Sequence, residues 1–120
     1  LPLLEVTLTA TLDGQPVSGF PCVVRLNPTE AVTDRVTKSG NDGNTYYSIS
    51  KLATENGFAL FTDTNLNILL NGAATGNFVL QSGGFLLLVN GQLASGSNSN
   101  VLVNNNTGST ANLTFLEFGP

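Results

Sequence analysis

Glu5-Val6-Thr7-Leu8-Thr9-Ala10-Thr11-Leu12 alternates without a break, with Val6, Leu8, Ala10 and Leu12 on one side and Thr7, Thr9 and Thr11 on the other. Period-two alternation predicts a β-strand with one buried and one wet face, because successive side chains of a strand point to opposite sides of the sheet. Asp13-Gly14 follows, a pair that tolerates the positive φ angles of a tight hairpin turn. The return strand, Val17 to Leu26, places Phe20, Cys22, Val24 and Leu26 on one face and turns Arg25 the other way. Pro16 and Pro21 each remove a ladder donor, which predicts an edge strand or a bulge there. Cys22, set in Phe20-Pro21-Cys22-Val23-Val24, reads as a buried apolar thiol.

Working outward, residues 27–44 form a polar connection containing Asn27-Pro28, Ser39-Gly40 and Asn41-Asp42-Gly43-Asn44, all turn-forming. Within it, 31–36 allows either a short helix or a strand. Strand patterns then recur at 45–50, 57–62, 66–70, 77–81, 84–90, 100–104 and 111–118. No window of a dozen residues keeps a helical apolar period, since Gly, Asn and Thr interrupt every one. The expectation is a single all-β domain over residues 1–120: an antiparallel β-sandwich, jelly-roll-like fold or small barrel of about eight or nine short strands. One domain suffices because neither half alone would bury much surface.

Charge is scarce and unevenly placed. Charged residues make up 10% of the chain, against roughly a quarter in an average domain, and of the twelve only Glu117 lies beyond Asp63. The segment 64–116 holds eleven Asn and no charge, so solubility there rests on neutral polar groups and repulsion between copies is weak. Within it, Ile68-Leu69-Leu70-Asn71-Gly72 is echoed by Leu87-Leu88-Val89-Asn90-Gly91, which reads as two successive hairpins with Asn-Gly turns rather than a solenoid repeat. The run Phe85-Leu86-Leu87-Leu88-Val89 has high β propensity with no charge or Pro. Left bare at an edge such a run aggregates, so it must be a central strand covered on both faces or an edge covered by another subunit.

Composition also excludes partners. The net charge is −4, and the four basic residues, Arg25, Arg35, Lys38 and Lys51, are interspersed with Glu30, Asp34 and Asp42. No basic stripe forms, which argues against nucleic acid and against anionic membranes. No run of 18 apolar residues could span a bilayer as a helix. The chain opens on Leu1-Pro2 rather than Met, which leaves a removed leader and a trimmed terminus equally open.

Catalytic chemistry has little to work with. Without His there is no imidazole base, metal ligand or His-dependent triad, and Cys22 has no activating partner of that kind. Zinc needs clustered Cys, His or carboxylates, and none is spaced for it. A carboxylate pair drawn from Glu30, Asp34, Asp42, Glu55 and Asp63 is the one enzymatic arrangement to consider, but these residues stand beside turns, where a solvated carboxylate is the ordinary outcome. Asn41-Asp42-Gly43-Asn44 lacks the distal Glu of a calcium loop and reads as a turn. The sequons at Asn105 and Asn112 fall in an Asn-rich stretch that produces them by chance. The expectation is a non-enzymatic protein with no cofactor and no metal.

Two resemblances add to this reading. Val6-Thr7-Leu8-Thr9-Ala10 with its Pro16-Val17-Ser18-Gly19 return, and Thr54-Glu55-Asn56-Gly57-Phe58-Ala59, resemble strands of bacterial immunoglobulin-like domains. The ending Val101-Leu102-Val103-Asn104-Asn105-Asn106-Thr107-Gly108-Ser109 resembles, in composition and rhythm, small phage virion proteins of the capsid decoration and head fibre type. The second resemblance implies a β-sandwich or barrel protomer, frequently trimeric, on a capsid lattice at the virion surface.

The functional expectation is therefore a structural protein of an extracellular assembly, most simply a phage capsid decoration or fibre protein. Its partners would be itself, as a homo-oligomer with a trimer favoured, and a major capsid protein. Leu1, Leu3, Leu4, Phe85, Leu87 and Val89 are the candidate self-association or partner contacts. Two alternatives stand beside it: a ligand-binding module of adhesin or carbohydrate-binding type at the cell surface, using Tyr46 or Tyr47, and a self-polymerising fibre subunit whose apolar terminus Leu1-Pro2-Leu3-Leu4 donates a strand to its neighbour.

Overall fold

A computed structural model describes residues 3–52, 55–70, 78–89 and 101–119. These residues are all-β with no helix. Twelve short strands are present: β1 (Leu4–Leu8), β2 (Thr11–Leu12), β3 (Gln15–Pro16), β4 (Cys22–Leu26), β5 (Ala31–Lys38), β6 (Tyr47–Ser48), β7 (Gly57–Thr62), β8 (Leu66–Leu70), β9 (Phe78–Leu80), β10 (Phe85–Val89), β11 (Val101–Asn104) and β12 (Ala111–Phe118). Every pairing is antiparallel. The larger sheets run β10-β7-β12-β5 and β6-β11-β8-β9, and they stack as an open sandwich rather than a closed barrel. The count exceeds the expected eight or nine because the 5–12 strand is split into β1 and β2, β3 is a separate two-residue fragment and β5 forms within the polar connection.

The core lies between these two sheets and follows the alternation. Phe58 and Leu60 of β7, Leu113 and Phe115 of β12, Leu66 and Ile68 of β8, and Val101 and Val103 of β11 all point inward and are buried. The rings of Phe58 and Phe115 meet with centroids 6.2 Å apart, tilted by 42°. Gly57 lies opposite Phe118, and a Cβ there would run into both the Phe118 ring and the Leu88 carbonyl. Glycine is required at that point because two neighbouring strands close over it.

Three expectations can be set against the structure. Of the two forms open to 31–36 the strand is the one found: β5, an eight-residue edge strand of the described sheet whose inward positions are Val32, Asp34, Val36 and Lys38. Charges at two of those four positions hid its alternation, and each is held by an ion pair at the rim of the core, Asp34 with Lys51 and Lys38 with Asp42. The Asn71-Gly72 and Asn90-Gly91 turns of the two expected hairpins lie outside the described residues, and the described strands flanking them pair across the first and not across the second. β8 pairs with β9, whereas β10 and β11 belong to different sheets. Thirdly, Cys22 is exposed rather than buried, because the first hairpin does not enter the core.

That hairpin is an arm. β1 pairs only with β4, and β2 with β3 continues it to the Asp13-Gly14 turn, where both φ angles are positive. The alternation of residues 5–12 is present, but among the described residues its apolar face joins no part of the core cluster: Leu8 is 45% and Leu12 72% exposed, and no residue of 3–26 is buried. Pro16 sits in the two-residue β3 and Pro21 just outside β4, so both prolines interrupt the return strand as expected.

Candidate functional site

β10 is an edge strand. It pairs with β7 from Phe85↔Phe61 to Val89↔Gly57, and no described strand pairs with its other side. Its alternation sends Leu86 and Leu88 toward the core and Phe85, Leu87 and Val89 to the outer face of the sheet. The register lines these up with outward residues of β7 and β12, giving Phe85 beside Phe61, Leu87 beside Ala59 and Leu116, and Val89 beside Gly57 and Phe118. Phe85 is 55% and Phe61 42% exposed, and Leu87, Val89, Ala59 and Leu116 are half-buried. Phe118, by contrast, is buried against Gly57, so among the described residues this apolar, uncharged face is exposed at its Phe85–Phe61 end and closed at its Phe118 end. Contiguous patches of this kind mark contact surfaces in soluble proteins.

Toward β5 the same face becomes polar. A shallow cavity of about 230 Å³ opens between β5 and β12, lined on its outward side by Thr33, Arg35, Thr114 and Leu116. Arg35 makes no ion pair among the described residues. The face therefore grades from aromatic at β10 to a single guanidinium at β5.

Of the contact candidates, the structure brings Phe85, Leu87 and Val89 together and adds Phe61, Ala59 and Leu116. The β7 and β12 members were hidden in sequence because each is the outward residue of an otherwise core-forming strand. Leu3 and Leu4 lie on the arm instead, with Leu4 already paired to Leu26, and Leu1 is outside the described residues. Tyr46 is half-buried before β6, and Tyr47 carries the Lys38 ammonium 4.2 Å from its ring centroid, so one face of that ring is taken.

The carboxylates are committed to holding loops. Asp34 accepts from Lys51 Nζ at 2.6 Å; Asp42 accepts from Lys38 Nζ at 2.7 Å and from the Asn105 amide at 2.8 Å; Asp63 accepts from the Asn112 backbone and side-chain amides and from Thr64. These bonds hold all three below the usual carboxylate range, Asp34 through Lys51, Asp42 through Lys38 and then Asn105, Asp63 through Asn112 and then Thr64. A carboxylate so held stays ionised near neutral pH and is a poor proton donor. Glu30 is exposed and Glu55 is buried. Glu117, not singled out in sequence, is fully buried on the inward side of β12, where one carboxylate oxygen accepts the backbone N–H groups of Lys51 and Leu52 and ties that loop to the sheet.

The Asn residues work likewise. Asn104 Nδ2 donates to the carbonyls of Gly43 and Thr45 and seats the 41–45 turn on the sandwich, while Asn105 Nδ2 donates to those of Lys38 and Ser109 and ties the end of β5 to the 105–109 loop. The turn reading of Asn41–Asn44 holds, with the Thr45 amide donating to the Asp42 carbonyl. The Asn105 sequon is buried in this arrangement.

A scan of the chain against protein-family models finds no match, and a search of curated proteins finds no significant relative.

Proposed function

We propose that the chain is a non-enzymatic structural subunit of an extracellular assembly, of the phage capsid decoration or fibre kind, displayed at a virion surface. The observation that carries this reading is the apolar outer face on β10, β7 and β12, exposed at its Phe85–Phe61 end among the described residues, beside a strand that bears no charge and stands at the edge of the described sheet. Apolar surface removed from water contributes roughly 25 cal/mol per Å², so a partner lying on this face gains binding free energy from the apolar area that the fold leaves in solvent. The scarcity of charge supports close packing of copies, and the commitment of Asp34, Asp42 and Asp63 to loop anchoring supports a framework role over acid–base work.

Light scattering coupled to size exclusion tests this. The expected result is a discrete closed oligomer, a trimer in the first instance, of a 12.5 kDa protomer. A chain that stays at the protomer mass over a wide concentration range overturns self-assembly.

A further inference from the structure

We propose that the open face of β10, β7 and β12 receives the β1–β4 arm of a second copy, so that copies join head to tail. This rests on the assembly reading above and names the two surfaces that meet.

The arm needs a surface. On one side its cross-strand pairs are Leu4↔Leu26, Val6↔Val24 and Leu8↔Cys22, and on the other Glu5 pairs with Arg25 through a 2.8 Å ion pair. It is amphipathic across its thickness, yet its apolar side covers none of the sandwich core of its own chain. A two-stranded sheet alone is marginally stable in water and gains stability when its apolar face is packed. The receiving face has matching chemistry, with no charge among Phe85, Leu87, Val89, Phe61, Ala59 and Leu116.

Dimensions and charge agree. The β1–β4 and β10–β7 ladders each hold five residue pairs, a length of about 17 Å at roughly 3.4 Å per residue. Two sheets stacked face to face settle about 10 Å apart with side chains interdigitated. At the rims, Arg35 on the receiving sheet and Asp13 at the arm tip are opposite charges, neither in an ion pair among the described residues.

The area sets the kind of assembly. A footprint of roughly 17 by 10 Å is well below the ~800 Å² per partner of a standard stable interface, so an isolated arm-to-face dimer is weak. Arm and face are different surfaces, so the contact is heterologous and repeats until a ring closes. Closing the ring makes the last link intramolecular, which favours complete rings over partial ones. The mass distribution should accordingly show protomer and closed ring with little dimer between.

Cys22, the one cysteine of the chain, is exposed on the arm's apolar side and gives a direct probe. A benzophenone maleimide attached there is irradiated in a mixture of isotopically heavy and light full-length chains. The expected products join a heavy to a light copy, from Cys22 to residues in 57–61, 85–89 or 112–118. Attachment within one chain, or from arm to arm, overturns the proposal. Independently of the label, Leu8→Glu on the arm and Phe61→Lys on the face should each return the chain to protomer mass with an unchanged circular dichroism spectrum. If the unsubstituted chain assembles and Leu8→Glu assembles equally well, the arm contact is wrong while the assembly reading stands. If the unsubstituted chain is a protomer throughout, both fall.

Discussion

The sheet β10-β7-β12-β5 ends in two edges built in opposite ways. At β5, Asp34 pairs with Lys51, Lys38 pairs with Asp42 and lies over Tyr47, and the Lys38 carbonyl accepts from buried Asn105. At β10, five apolar residues in a row carry no charge, no Pro and no described cover. Charged side chains and covering loops are the ordinary ways to keep an edge strand from pairing with another molecule. Among the described residues the same sheet therefore guards one edge and leaves the other bare, which supports placing the proposed contact surface at β10.

Four substitutions or conditions break or sharpen that contrast. The largest effect belongs to Gly57→Ala, at the seam joining β10 to β7. The added methyl meets the Leu88 carbonyl and the Phe118 ring, and overpacking there should cost about 3 kcal/mol, read as a lower urea midpoint. At the guarded edge, Asn105→Ala leaves the Lys38 and Ser109 carbonyls without their buried donor, a loss of about 2 kcal/mol. A drop much below that would mean that water replaces the amide and that the loop cover over β5 is loose.

Acid should act on the anchored carboxylates and spare β10, which has none. Asp34, Asp42 and Asp63 have folded-state pKa values lowered by their partners. Their contribution is therefore fully present above the unfolded value of about 3.9 and is lost as pH falls through the lower folded values. The urea midpoint should stay level, as far as these groups set it, from neutrality to about pH 5 and fall below about pH 4. In Asp42→Asn that fall should be shallower, and an unchanged acid profile would show that Asp42 holds nothing. The smallest effect on stability comes from Phe85→Lys, which gives β10 the kind of charge that β5 already has. At a site 55% exposed the cost should be within about 0.5 kcal/mol, while the oligomer mass falls. A variant that still assembles would remove β10 from the contact.

Much of the fold was legible. The strands at 57–62, 66–70 and 111–118 stand where their alternation predicts them, because each has one face in the core and that face is mostly apolar, with Thr62 and Glu117 as its buried polar exceptions. β5 stayed open between helix and strand, because Asp34 and Lys38 occupy core-side positions and their partners, Lys51 and Asp42, make that tolerable. Of the candidate site, Phe85, Leu87 and Val89 were visible as an apolar run in need of cover. Phe61, Ala59 and Leu116 were not, since a sequence cannot show which outward residues of other strands line up beside them.

The sequence by itself determined that this chain is β throughout, antiparallel, poor in charge and without an imidazole chemistry, because alternation, turn preference and composition are local properties. Only the tertiary structure decided that 85–89 is an edge among the described strands, that the first hairpin stands outside the core with Cys22 in solvent, and that Glu117 is buried to hold the Lys51–Leu52 backbone. Those outcomes depend on which strands pair across long stretches of chain, as β12 pairs with both β5 and β7. A strand's alternation states that one face will be apolar; only the strands and sheets assembled around it determine whether that face is buried.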